Sequence, residues 1–161
     1  MDLDIKEVTL TKDILLKIKE VDDTFYKSDK LNIDWYLERY EGKSGGVLLL
    51  DENKCAGYIV SVPIRKELYD AITCGVIVND VLVSPKMFTD GSLYYYVVSC
   101  VILKDYRGRG YGSKMLEMIL RDKKRYCALS VSDGGYHLAN KYMDFKMNVY
   151  ENVNVFVKDN E

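Results

Sequence analysis

Apolar residues recur along the chain with two periods, and the points where the period changes mark its elements. Ile14, Leu15, Ile18, Val21 and Phe25 fall three and four apart, the spacing that lines one face of a helix. Thr11 stands just ahead of them as an N-cap, where a hydroxyl can accept from a first-turn amide. A short strand over 5–10 precedes this helix, and a second helix is predicted around "NIDWYLERYEG", closed by Gly42. "GGVLLLDENKCAGYIVSV" holds two apolar runs around a polar "DENK" turn and reads as a β-hairpin whose second strand Pro63 limits. Residues 93–103, dominated by Tyr, Val, Ile and Leu, predict a strand. A helix is predicted over 112–125, with Met115, Leu116, Ile119 and Leu120 as its apolar stripe and the basic residues 123–125 at its negative end. Within it Glu117 and Arg121 pair four residues apart. "YCALSVS" reads as a buried strand, "YHLANKYMDF" as a helix and "NVNVFVK" as the closing strand.

The order is therefore β-α-α-β-β, an irregular stretch, then β-α-β-α-β. A hairpin ahead of a β-α-β unit predicts an α/β (α+β) fold with a mixed rather than purely parallel sheet. In the irregular stretch, "KELYDAITCG" suits a short helix, and "NDVLVSPKMF" suits a strand or an extended loop cut by Pro85. Residues 64–92 make a long connection for a compact domain, and long connections often carry function.

Composition narrows the class without naming a chemistry. The 161 residues show no repeat and no linker, so one domain over 1–161 is expected. A net charge of −2 gives no global argument for nucleic acid or an anionic membrane as partner. The amino terminus lacks the charged and apolar regions of a signal peptide, and the run "LYYYVVSCVIL" is too short to span a bilayer as a helix. A cytoplasmic protein is expected, and four scattered cysteines without a C-x-x-C pair suit reduced thiols there. A single histidine, His137, makes a metal site unexpected and reads as a surface or capping residue.

The stretch "YRGRGYGSKML" carries the candidate chemistry. Gly108, Gly110 and Gly112 lie between a predicted strand and a predicted helix, where first-turn amides and the helix dipole make an anion site. Glycines let a phosphate approach the backbone, and Arg107, Arg109 and Lys114 add positive potential, so the ligand class is a phosphate or pyrophosphate. A Walker loop, G-x-x-x-x-G-K-[ST], is absent. The dinucleotide fingerprint G-x-G-x-x-G fails as well, since its last position is Ser113 counted from Gly108 and Met115 counted from Gly110. A coenzyme A loop remains.

Arg107-Gly108-Arg109-Gly110-Tyr111-Gly112 fits the pattern [Q/R]-x-x-G-x-[G/A], and here the chain resembles the GNAT superfamily of acyl-CoA-dependent N-acyltransferases. The likeness covers roughly residues 5–158 and is clearest over 93–147. It implies a mixed, mostly antiparallel sheet of six to seven strands flanked by about four helices. It also implies an N-acetyltransferase that moves the acetyl group of acetyl-CoA to a primary amine, on a small molecule or a peptide, by direct attack in a ternary complex. Backbone groups at Cys100, Val101 and Ile102 would pair with the pantetheine, and the loop from Gly108 to Ser113 would hold the pyrophosphate. "GYHLANKYMDFKM" places Tyr142 at the family's thiolate-protonating tyrosine, with Gly135, Lys141 and Lys146-Met147 departing from its usual surroundings. A phenol can serve as that acid when its hydrogen bond to the thiolate is short.

The glutamate that some members carry on the fourth strand, eleven residues before the arginine, is Tyr96 here, and no carboxylate lies between Leu93 and Lys104. A base would come from Glu38, Asp80 or Asp133, from a water chain, or be unnecessary if the amine arrives neutral. No cysteine sits in an acyl-enzyme motif, which disfavours a ping-pong route. The connection 64–92 is longer than the family's usual one and is expected to help form the acceptor pocket. Tyr95 or Tyr96 lines that cleft or simply packs the sheet. The family is frequently dimeric, which leaves a homodimer open. The alternative function is a CoA-binding or acyl-CoA-sensing module without catalysis.

Overall fold

The computed structural model describes residues 3–26 and 30–160. Its first strand, β1 (Leu3–Thr9), is followed by α1 (Lys12–Phe25), which Thr11 caps by accepting from the Ile14 amide at 3.3 Å. Leu15, Ile18 and Val21 are its buried positions, in the predicted spacing. Asn32 caps α2 (Ile33–Tyr40) in the same way, through the Trp35 amide. β2 (Ser44–Asp51) and β3 (Lys54–Ile64) form the hairpin, and Glu52 takes a positive φ of 55° in its turn. β3 is buried without a break from Ala56 to Ile64, as a strand covered on both faces must be.

Pro63 does not end β3. The ladder with β2 stops at Gly46↔Val60, so a residue without an N–H costs no bond to that neighbour three positions later. The Pro63 carbonyl is still used, accepting from the Thr89 amide at 3.1 Å. After α3 (Lys66–Thr73), the stretch left open between strand and loop is a loop with two single 3-10 turns, Asp80–Leu82 and Pro85–Met87. An isolated bridge, Ile64↔Phe88, and the bond from Arg65 Nε to the Lys86 carbonyl at 2.9 Å pin it back to the end of β3.

β4 (Tyr94–Ile102) leads through a 3-10 turn, Lys104–Tyr106, into α4 (Tyr111–Leu120). This helix stops five residues before the predicted 125. Its apolar stripe is spent at Leu120, and Asp122 adopts a φ of 67° that no helix continues. Arg125 therefore opens β5 (Arg125–Ser130) instead of closing a helix. α5 (Asp133–Tyr142) likewise ends before Asp144 and Phe145, which belong to a strand the sequence reading had merged with it, β6 (Asp144–Tyr150). The chain closes with β7 (Val153–Asp159).

The strands form one seven-stranded mixed sheet in the order β1-β2-β3-β4-β5-β7-β6. Four of its pairings are antiparallel and β4 with β5 is parallel, over Tyr94↔Arg125 to Val97↔Ala128. Five α-helices accompany it. Contacts divide the chain into two compact units. In the first, Met1–Ser61 with Ser99–Arg121, α1 packs on α2, and α4 packs on β1 and β2 through Met115, Leu116, Ile119 and Leu120. In the second, Val62–Val98 with Asp122–Glu161, α3 and α5 both pack on β5 and β7, and Phe156 is fully buried among them. No helix among the described residues is long and apolar enough to cross a membrane.

Candidate active site

The glycine-rich loop lies in the first unit, and the segment leading into it is fastened. Before it, the Leu103 amide bonds the Ala56 carbonyl at 2.9 Å, and the buried Tyr106 donates its hydroxyl to Asp51 Oδ2 at 2.6 Å. That bond raises the Tyr106 pKa, because the carboxylate stabilises the protonated phenol. Arg107 turns back rather than outward: its Nε donates to the Ile102 carbonyl at 2.7 Å and its guanidinium lies 5.5 Å from the Phe25 ring centroid. Arg109 and Lys114 are exposed.

Gly108 and Gly110 have φ of +78° and +81°, the left-handed region where any Cβ is strained. Nothing lies within 4 Å of where a Cβ would stand on either, so the backbone is open to an approaching group. Gly110 is also the N-cap of α4 and offers no side chain to its first-turn amides. Those amides have no carbonyl partner within a helix, and Arg109 and Lys114 add charge beside them. The surroundings thus fit an anion with several acceptor oxygens.

Of the three β4 positions named for pantetheine pairing, Val101 points its carbonyl at β3: a Cβ on Gly57 would lie 2.9 Å from it. Successive residues of a strand direct their backbone groups to opposite sides. Cys100 and Ile102 therefore face away from β3, with the Ile102 carbonyl held by Arg107. The β5 ladder covers only Tyr94–Val97. Burial pushes the Cys100 thiol up from 9.0 to about 12.

Tyr142 is the last residue of α5, in the second unit, half-buried, and its carbonyl accepts from the Tyr126 hydroxyl at 3.5 Å. Of the carboxylates considered as bases, Glu38 is exposed and sits 3.6 Å from Arg39, and Asp133 is exposed at the start of α5. Asp80 differs. It accepts from the hydroxyl of Tyr96 at 2.9 Å, and Tyr96 is only 2% exposed. Tyr95 lies under the Lys123 ammonium, 5.1 Å from its ring centroid. His137 is exposed on α5 and does not cap it; Ser132 does, accepting from the Gly135 amide. Among the described residues, no three His, Cys, Asp or Glu side chains gather as metal ligands would.

One cluster escaped the sequence reading. Asp22, near the end of α1, accepts from the Tyr36 hydroxyl at 2.8 Å and from the hydroxyl of the wholly buried Tyr58. Tyr58 Oη is also 2.7 Å from Ser99 Oγ on β4. Burial, then the Asp22 charge, raises the pKa of both phenols, so they remain donors. The signal was present: Asp22 falls four residues after Ile18 and seven after Leu15, a charge on the apolar stripe.

The profile of the Acetyltransferase (GNAT) family matches residues 11–133, from the cap of α1 through the glycine loop to the first residue of α5. The chain belongs to that family. Solved structures agree with the GNAT fold at low identity. The loading GNATL domain of CurA from Lyngbya majuscula superposes with a TM-score of 0.72 at 15% identity, covering 99% of this chain and 98% of that one. Diaminobutyrate acetyltransferase EctA from Paenibacillus lautus, in complex with L-2,4-diaminobutyric acid and coenzyme A, gives 0.64 at 10% identity over 99% and 95%. Arabidopsis thaliana Naa50, in complex with the bisubstrate analogue CoA-Ac-MVNAL, gives 0.64 at 15% over 99% and 99%. No curated protein matches the sequence significantly. Tyr142 lies outside the residues the GNAT profile matches.

Proposed function

We propose that this GNAT chain transfers the acetyl group of acetyl-CoA to a primary amine by direct attack within a ternary complex. The observation that carries the reading is the open, left-handed Gly108–Gly110 backbone running straight into the N-terminus of α4, where Gly110 brings no side chain of its own. In this reading Arg107, Gly108, Arg109, Gly110, Tyr111, Gly112 and Ser113 receive the pyrophosphate of acetyl-CoA, and the backbone at Cys100 and Ile102 pairs with its pantetheine, Val101 turning toward β3. The amine nitrogen attacks the thioester carbonyl carbon, the C–S bond breaks, and Tyr142 supplies the proton to the departing thiolate. The raised Cys100 pKa supports direct attack, since a thiol near 12 offers almost no thiolate for an acyl-enzyme. Small amines and a peptide, as the EctA and Naa50 complexes hold, set the range of acceptors to screen.

The test is a thermal shift with acetyl-CoA, CoA and NAD on the wild type and on Gly110→Asp. Aspartate bears a positive φ with less strain than most side chains and brings a negative charge to the anion site. Both CoA species should stabilise the wild type, by about 2.7 kcal/mol at a hundredfold excess over Kd, and NAD should not. The variant should lose the shift. No stabilisation by either CoA species would end the acetyltransferase reading.

β4 carries no carboxylate between Tyr94 and Ile102, which favours a second reading, a CoA-binding module without catalysis. It expects the same shifts and no acetyl transfer to any amine.

A further inference from the structure

Asp22, Tyr58 and Ser99 are joined in one direction only. A carboxylate accepts and cannot donate, so the single proton of Tyr58 goes to Asp22. The 2.7 Å contact between Tyr58 Oη and Ser99 Oγ must then be a bond that Ser99 donates. The chain reads Ser99 O–H to Tyr58 O–H to Asp22 carboxylate, from a half-buried hydroxyl on β4 through a buried phenol to a half-buried carboxylate on α1. Tyr36 holds the other carboxylate oxygen and lies off this path. Burial and the Asp22 charge raise the pKa of both phenols, so both remain proton donors at neutral pH.

Its position is specific as well. Ser99 comes two residues after the last β4–β5 pair, Val97↔Ala128, and immediately before Cys100. Packing alone would be served by phenylalanine and alanine. A half-buried carboxylate placed on the apolar face of a helix and supplied with two phenol donors is costly to build in for packing alone.

We propose that Ser99, Tyr58 and Asp22 are the proton-accepting relay of the transfer; this rests on the acetyltransferase reading above. As the C–N bond forms, the attacking nitrogen sheds a proton to Ser99 Oγ. The Ser99 proton passes to Tyr58 Oη, and the Tyr58 proton to Asp22, which ends as a neutral carboxylic acid. The C–S bond breaks with its electron pair on sulfur, which takes its proton from Tyr142, so the proton stored on Asp22 balances the phenolate left at Tyr142 until solvent returns both to their starting states. The path runs back when the products leave, and the proton returns to solvent. Ser99 is the member that meets the substrate; Tyr58 and Asp22 act through it.

The experiment measures thiol release from acetyl-CoA in buffer alone and with spermidine, 2,4-diaminobutyrate and a short peptide bearing a free α-amine. The proteins are the wild type, Asp22→Asn, Ser99→Ala, Ser99→Thr and Tyr36→Phe, each also tested for the thermal shift with CoA. The relay predicts that Asp22→Asn lowers kcat by about a hundredfold or more while the KM for acetyl-CoA and the CoA shift stay put. Ser99→Ala should lose at least tenfold, Ser99→Thr should recover most of it, and Tyr36→Phe should lose no more than about threefold. The solvent isotope effect of the wild type should report more than one proton in motion.

Equal losses in Tyr36→Phe and Ser99→Ala would make the cluster structural and overturn the relay. So would full activity in Asp22→Asn, or CoA binding by the wild type with no thiol release from any mixture, which leaves the CoA site standing. Absence of the CoA shift in the wild type would remove the acetyltransferase reading and the relay with it.

Discussion

Close approach decides what single residues can do in this chain. Gly57 lies where β3 passes β4, and a methyl group there would stand 2.9 Å from the Val101 carbonyl oxygen and 3.2 Å from the Ile102 Cα. Both obstacles are backbone, which cannot swing aside, so Gly57→Ala should destabilise the protein by roughly 1–3 kcal/mol in chemical denaturation. A variant of wild-type stability would mean that the strands have room to part. Gly57 was not legible as special in the sequence, because the constraint comes from a strand some forty-five residues later. Gly108 and Gly110 were legible, since their alternation with arginine at a strand-to-helix junction has a local cause. Asp22 stood in between: its place on the apolar stripe of α1 was visible, but its partners Tyr36, Tyr58 and Ser99 come from three other elements and no local pattern names them.

At the scale of elements, the periods named the type of nearly every segment and were weakest at the boundaries. α4 was drawn too long because Glu117, Arg121 and the basic residues after it all suit a helix, whereas the apolar stripe that packs on β2 ends at Leu120. β6 was hidden for a related reason. Phe145, Met147 and Val149 alternate with polar residues, yet Phe145 also continues the helical spacing of α5. The loop between α3 and β4 was the hardest to read because its order is supplied by the end of β3: the Arg65 amide reaches the Met87 carbonyl at 2.9 Å, and Phe88 is buried against Ile64. In its earlier part the Leu82 side chain is 89% exposed. Brief digestion with a protease of apolar specificity should therefore cut first at or beside Leu82 and spare Phe88, as read by mass spectrometry. A first cut at Phe88 would contradict the anchoring by β3.

For the whole molecule, the thiols of the buried Cys127 and the half-buried Cys100 set a response to alkali. Burial raises the Cys100 pKa from 9.0 to about 12 and pushes Cys127 up in the same way. The unfolded chain releases these protons from about pH 9, while the folded protein retains them. Their contribution is thus fully present below that pH and is lost as the pH climbs through the folded values, at about 1.4 kcal/mol per unit for each thiol. Denaturation midpoints measured from about pH 8 to 10.5 should fall, and should fall less steeply in Cys127→Ala. An unchanged slope in that variant would place the loss elsewhere.

The glycine loop has a further consequence through its fastenings. Tyr106 is tied to Asp51 and Arg107 to the Ile102 carbonyl, so the segment on either side of Leu103 is already held in one conformation. If acetyl-CoA binds at the α4 end as proposed, it meets a lead-in segment already ordered up to Arg107, and less chain entropy is lost on binding. Recognition should then resemble a key entering a cut lock, with association limited by diffusion and charge rather than by a slow rearrangement of the protein. Asp51, in the hairpin, should then influence affinity through Tyr106, and Asp51→Ala should weaken the CoA thermal shift if the loop binds CoA as proposed.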